Sequence, residues 1–276
     1  MRKKIIEEIK ELLDEAMEIS NKPAFISKDP ISIPHRFKLQ QDIEIAGFFA
    51  AVFAWGNRTT IINKCNELIG LMGNAPYKFM VNHKEEELKQ FLDFKHRTFN
   101  STDILHFIRF LNYHYTIGYK KLGGKIPSLE SAFTFNMKID DGDTENALIG
   151  FHDYFFSLED SPSRTKKHIP TPRNNSSCKR LNMYLRWMVR EDQQGVDFGL
   201  WKKIRPSQLV CPLDIHVQRT SQKLKLINSD KADWKTAREL TQVLQTFDDK
   251  DPVKYDIALF SLGVNNNRIK ENRDGG

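Results

Sequence analysis

Two residues in this 276-residue sequence pair a nucleophile type with a charge partner, Lys179 and Asp214. Lys179 opens an apolar-periodic run directly after a proline-rich basic loop, and Asp214 follows Pro212-Leu213 at the start of the next substantial run. Both positions read as helix starts, where unpaired N–H groups can hold a backbone phosphate. An amine must lose its proton before it attacks carbon, and the ordinary lysine pKa of about 10.4 makes that costly at neutral pH. Partial burial, a helix N-terminus and a cationic neighbour each disfavour the ammonium. Residue type and spacing alone favour a solvated, phosphate-contacting lysine beside an aspartate that only caps its helix.

Charge is segregated around Lys179. From Ile139 to Ser163 the chain carries Asp140, Asp141, Asp143, Glu145, Asp153, Glu159 and Asp160 with no lysine or arginine, whereas Arg164 to Arg190 contains eight lysines and arginines and no acid. Within the second segment Arg164, Lys166, Lys167, His168 and Arg173, with Arg180 beyond them, are expected phosphate contacts that position a duplex without reading its sequence. Asn175, Ser176 and Ser177 complete the loop as further nucleic-acid contacts, the serines as donors to phosphate. Trp55, Asn57 and Arg58, in AWGNR at a helix end, can stack on or bond to a base, although a lone tryptophan also fits a core role. Arg36, His96 and Arg97 read as structural anchors. His216 stands two residues after Asp214, a spacing that diverges on a helix. With no HxxxH or matching carboxylate cluster it reads as a hydrogen-bonding or packing residue beside the substrate, and no metal is expected.

These residues need a scaffold, and the bulk sequence favours an all-helical one. Ile5, Ile9, Leu12, Leu13, Ala16 and Met17 recur at helical spacing up to about Ser20. Asp42 is placed to cap an apolar helix to about Trp55, and Thr59 or Thr60 to open another toward Met72. Further helices are expected at 85–94, 102–119, 147–158, 178–190, 215–227, 233–247 and 251–262, with a short extended stretch at 209–212 and a frayed polar tail after Gly263. The apolar stretch around GFFAAVFAWG is far short of the roughly 20 residues that span a bilayer. Three cysteines, Cys65, Cys178 and Cys211, give neither a disulfide framework nor a Cys-x-x-Cys pair, which points to a soluble protein of a reducing, cytoplasmic compartment. A net charge of +6 is compatible with an anionic partner. The absence of GxGxxG, GxxxxGK, HExxH and GxSxG excludes the simplest nucleotide-binding, zinc-protease and hydrolase readings.

The segments CKRLNMYLRWMVR and CPLDIHVQR, preceded by DIEIAGFFAAVFAWGNRTTIINKCNELI, resemble the helix-hairpin-helix DNA glycosylase superfamily, especially its archaeal 8-oxoguanine glycosylase/lyase branch. A closer similarity, covering nearly the whole chain through IPHRF, FKHRTFN, RTKKHIP and DPVKYDIALFSLG, is to the bacterial family called domain of unknown function 2400. The glycosylase resemblance implies two helical lobes, with an extrahelical base held in a cleft between them. It implies that a lysine attacks C1′ of the damaged nucleoside with an aspartate assisting, roles that fall on Lys179 and Asp214. The segment around Trp55, Asn57 and Arg58 resembles the part that lines the damaged-base pocket. The familiar glycine-rich hairpin is replaced by Pro172-Arg173-Asn174-Asn175-Ser176-Ser177, where asparagine can supply the left-handed turn.

The resulting expectation is a monomeric, cofactor-free DNA glycosylase with AP lyase activity. It would remove an oxidised purine such as 8-oxoguanine from double-stranded DNA through a lysine Schiff base. The alternative is a non-catalytic nucleic-acid-binding protein on the same scaffold. The expected division puts 1–41 with 215–276 in one lobe and 42–214 in the other, with a divergent hairpin at about 170–190. A third class, a protein-interaction module, requires an exposed apolar patch.

Overall fold

The computed structural model describes residues 2–263, with side chains from Lys4 onward. The polar tail expected to fray lies outside them. The longer helices are α1 (Arg2–Ser20), α2 (Gln40–Phe53), α3 (Arg58–Leu71), α4 (Pro76–Asn82), α5 (Ser101–Tyr113), α6 (Glu145–Phe155), α7 (Lys179–Val189), α8 (Ile215–Lys223) and α9 (Trp234–Gln245). The chain is helical again at 256–263. Among the described residues β pairing is confined to three isolated bridges, so the protein is all-α. No described helix is long and apolar enough to cross a membrane.

The described residues fold into two compact units: 2–25, 172–199 and 204–263 form one, and 26–171 with 200–203 form the other. The expected boundaries at 41/42 and 214/215 differ from this division. The 172–199 segment groups with the terminal helices, because its turn and α7 spend their polar groups on the residues leading into α8 and α9 and on the 251–256 segment.

In the larger unit α2 is apolar on nearly every side, so it can only be a central helix, and every residue from Ile43 to Phe53 is buried. Phe107, Phe151 and Phe155 pack against its Phe48, with the Phe48 and Phe107 rings 5.5 Å apart and Phe48 edge-on to Phe151 at 5.6 Å. Asp42 lies in the first turn of α2 instead of capping it. Its carboxylate accepts the Tyr77 N–H at 2.8 Å and thereby caps the neighbouring α4. The expected helix over 102–119 is α5 continued by a π-helical turn at His114–Gly118. A Cβ on Gly118 would lie 2.0 Å from the Tyr154 hydroxyl, so that turn admits no larger residue without rearrangement.

One carboxyl group lies within the buried stretch of α2. Glu44 is fully buried and accepts hydrogen bonds from Ser128 Oγ (2.6 Å), Gln40 Nε2 (2.9 Å), Trp201 Nε1 (2.8 Å), the Tyr115 hydroxyl (2.8 Å) and the Leu129 N–H (3.0 Å). Burial pushes its carboxyl up while these donors oppose the rise. The carboxylate ties the 200–203 segment to α2 and the 128–129 turn. Glu44→Gln replaces one acceptor oxygen with an amide that cannot accept these bonds. It is expected to cost about 1–3 kcal/mol, measured by urea unfolding.

In the smaller unit α1 buries Leu13 and Ala16, and the Tyr255 hydroxyl donates to Asp14 Oδ1 at 2.9 Å. α9 begins at the side-chain cap of Asp233, which accepts the Thr236 N–H at 2.9 Å.

Candidate functional site

The residues before α7 form a turn that presents Lys179. Pro172–Asn174 make one 3-10 turn, and Asn175 (φ +55°) and Cys178 (φ +49°) take left-handed backbone, uncommon for residues with a side chain. Asn175 can do so with local support: its Nδ2 donates to Asp233 Oδ2 at 3.0 Å, and its carbonyl accepts the Trp234 N–H at 3.2 Å. The serines are engaged within the protein. Ser176 Oγ accepts the Cys178 N–H at 3.2 Å, and Ser177 Oγ donates to the Leu213 carbonyl at 3.0 Å. The Ser177 proton expected to reach phosphate therefore goes to the residue just before Asp214. That bond joins the two segments carrying Lys179 and Asp214.

Lys179 is the first residue of α7, and Asp214 is the N-cap of α8. The Lys179 Nζ lies 3.8 Å from Asp214 Oδ2 and 3.8 Å from Met183 Sδ. The side chains of Lys179 and Asp214 are about a quarter exposed, at 28% and 25%. Asp214 uses its two oxygens differently. Oδ1 accepts the N–H groups of His216 and Val217 at 2.9 and 3.0 Å, which leaves Oδ2 toward the amine. At 3.8 Å the pair is in ionic range but longer than a hydrogen bond. The arrangement couples an accessible amine to a carboxylate held in place by its own helix start. His216 is exposed beside it, as is the flanking Ile215. Arg180 is half-buried, with burial disfavouring its charged form.

Behind this pair α7 continues into a network the sequence reading missed. Arg186 and Arg190 are buried, and between them they engage Asp197, Asp251 and Asp256. The visible signal was the recurrence of Lys179, Arg186 and Arg190 at intervals of seven and four residues, which keeps them on one helical face. Their acidic partners are scattered over 60 residues of sequence.

Apart from Arg173, the remaining candidates lie in the larger unit, and two change role. His168 is fully buried: its ring packs parallel to Trp55 at 5.7 Å and edge-on to Phe99 at 4.9 Å, and Nε2 lies 3.3 Å from Asp103 Oδ2. It cannot reach phosphate in this fold. Arg164 donates to Asn100 Oδ1, to Asp103 Oδ2 and to the Thr98 carbonyl, which makes it an anchor of the α5 N-terminus. Lys166 and Lys167 are exposed in this unit, and Arg173 is exposed in the other. Trp55 is half-buried with the Arg97 guanidinium over its ring at 5.6 Å. Asn57 uses Oδ1 to accept the Thr60 N–H at 3.2 Å as the cap of α3, and Arg58 lies 3.6 Å from Asp29. Gly56, between them, has φ +101°, and a Cβ there would meet the Arg97 guanidinium at 2.3 Å. Arg36 and His96 are the expected anchors: Arg36 bonds Asn66 and Asn74, and His96 Nε2 meets the Phe53 carbonyl at 3.1 Å.

Fold and site together define an all-helical protein with an accessible lysine–aspartate pair at two helix starts. Residues 29–265 match the family described as protein of unknown function (DUF2400), and the chain belongs to that family. No curated protein and no solved structure matches the chain.

Proposed function

We propose that the protein is a DNA base-excision glycosylase with AP lyase activity, acting on an oxidised purine such as 8-oxoguanine in double-stranded DNA. The observation that carries this reading is the Lys179 amine 3.8 Å from an Asp214 carboxylate that its own helix N-terminus holds in place. The resemblance of the CKR and PLD segments to the helix-hairpin-helix glycosylases supports it.

In this reading Asp214, oriented by the His216 and Val217 N–H groups on its Oδ1, stabilises the positive charge that develops on the sugar as the base departs. Lys179, as the free amine, forms the bond to C1′ while the C1′–N bond breaks and the base leaves with the bonding pair and takes up a proton. The sugar ring opens, and the lysine nitrogen becomes a protonated Schiff base. That cation makes the C2′ proton acidic, and its loss expels the 3′ phosphate by β-elimination. The residues Trp55, Asn57, Arg58 and His216 are proposed base or substrate contacts. Lys166, Lys167, Arg173 and Arg180 are proposed phosphate contacts.

A strand-nicking assay on duplexes carrying 8-oxoguanine, an abasic site or no damage tests the activity. Nicking confined to the damaged duplexes supports the proposal. Binding without base loss or nicking on either damaged duplex would favour the non-catalytic DNA-binding alternative. Replacing Lys166 and Lys167 together with alanine is expected to lower the slope of log K against log[salt] by about 1.8, the value for two lost phosphate contacts. Filter binding or fluorescence anisotropy across a salt series measures it.

A further inference from the structure

The larger unit holds a cleft of about 780 Å³ along one face of α5. Ser101, Leu105, Ile108, Arg109 and Asn112 line it at the three- and four-residue spacing of a helical face. The 3-10 turn at Glu85–Phe91 adds Leu88 and Lys89, and the loop after α6 adds Asp160 and Pro162. The volume falls within the roughly 300–1,000 Å³ of small-molecule sites, and Leu88, Leu105, Ile108 and Pro162 give the cleft the apolar surface such sites have.

Three polar groups of the lining are engaged within the protein and hold its parts together. His83 Nδ1 meets the Phe79 carbonyl at 3.0 Å, Asn112 Nδ2 donates to the Met80 carbonyl at 2.6 Å, and Arg109 Nη1 donates to the Glu159 carbonyl at 2.7 Å. Arg109 and Lys89 are exposed and enter no ion pair among the described residues. His106 differs from the first three. It is only 4% exposed, its ring lies flat against Phe156 at 5.8 Å and edge-on to Phe155 at 5.1 Å, and its Nε2 has no hydrogen-bond partner. A buried nitrogen left without a partner costs stability, and a phenylalanine would pack among the same rings without that cost. Burial pushes the His106 imidazole down and the Arg109 cation pushes the same way, against the Phe155 backbone and Asp103. The ring is therefore neutral at neutral pH, with one N–H and one bare nitrogen to offer.

We propose that this cleft is a binding site for a small apolar anion. The hydrophobic body of the ligand lies against Leu88, Leu105 and Ile108, its acid group meets Arg109, and a polar group on it hydrogen-bonds His106. Glu85 and Asp160 also line the cleft, and like-charge repulsion from them favours a ligand with one acid group over a multiply charged one. The site goes beyond the glycosylase reading, since none of these residues takes part in the Lys179–Asp214 chemistry.

The probe is 1-anilinonaphthalene-8-sulfonate, which combines apolar rings, one sulfonate and one N–H. It is titrated by fluorescence into the folded full chain without DNA, and one saturable site is expected. Arg109→Gln should weaken that site about tenfold or more, the scale of one hydrogen bond to a charged group. Leu105→Trp should fill the cleft and remove saturable binding. Lys38→Gln, which removes an exposed charge from the same unit outside the cleft, should leave binding unchanged. No saturable binding to the native chain, or binding that survives both cleft variants, would overturn the proposal. Arg109 is exposed and Leu105 half-buried, so both positions accept these changes within the fold.

His106→Phe keeps a ring among Phe155 and Phe156 and removes the nitrogens. It should weaken the anilino compound about fivefold, the scale of one neutral hydrogen bond. Binding of 1-naphthalenesulfonate, which has no N–H, should stay as it was. Equal effects on the two compounds would overturn the role given to His106. Should that variant prove unfolded by circular dichroism, the Arg109 and Leu105 variants still decide the site. No step uses DNA or Lys179, so failure here leaves the glycosylase reading standing, and failure of that reading leaves this site standing.

Discussion

Replacing Lys179 with glutamine is expected to abolish strand cleavage at an 8-oxoguanine or abasic site, with a loss on the order of 10³-fold or more in single-turnover rate. The side chain keeps its approximate length but loses the nucleophilic nitrogen. Because Lys179 supplies only one of the chain's many positive charges, affinity for undamaged duplex should fall by less than about tenfold, the scale of one lost phosphate contact at moderate salt. Asp214→Asn keeps a side-chain oxygen to cap α8 but removes the charge facing the amine. Its rate is expected to fall on the order of 10²-fold with the helix intact. A uniform loss of binding and activity in both variants would instead point to general electrostatics.

The second large effect is on stability, at the N-terminus of α5. Asp103 is fully buried and serves several partners at once. It accepts the Asn100 N–H at 3.0 Å and the Thr165 hydroxyl at 2.7 Å, while Arg164 and His168 reach Oδ2. Burial alone would raise its carboxyl. The hydrogen bonds from His168, Asn100 and Thr165, with the attraction of His168, outweigh burial and bring it down to about 2.

Asp103→Asn removes the charge and leaves a half-buried Arg164 and a buried His168 without their carboxylate. The expected loss is about 3–5 kcal/mol, the range for breaking a buried ion pair from one side. The sign of the pH dependence follows from the depressed value. The contribution of Asp103 is present above the ordinary carboxylate range and is lost as pH falls from about 4 toward about 2. Urea unfolding followed by tryptophan fluorescence measures both, since Trp55 stacks on His168. The native chain should lose stability across that window, and the variant should lose less.

The parts of this arrangement that were legible in the sequence share one cause, local chemistry. The α2 stretch is apolar enough to bury on all sides, and Asp214 and Asp233 are cap residues directly ahead of periodic runs. The proximity of Lys179 and Asp214, 35 positions apart, follows from the fold, through Ser177 bonding the residue before Asp214, and not from any local pattern. What stayed hidden was set by distant partners. Asp42 has the type and position of a cap for its own helix, yet Tyr77 claims it.

His168 sits in a run of cations and so reads as surface. The 3-10 turn Ser163–His168 instead sends Thr165 and His168 inward to Asp103, more than 60 residues earlier, while Lys166 and Lys167 face solvent. In the same way Arg186 appeared as one more charge of the basic segment, because Asp256, 70 residues later, is invisible to any local pattern. A charged residue's sequence neighbours say which ions are available to it, and only the fold says which one it meets.

The most direct test of the central claim is borohydride trapping of the native chain on a duplex carrying 8-oxoguanine, followed by peptide mapping of the adduct. A covalent protein–DNA product attached at Lys179, and absent from Lys179→Gln, is the predicted result. Folded protein that binds the duplex but yields no adduct, or an adduct mapped to a different residue, would contradict it.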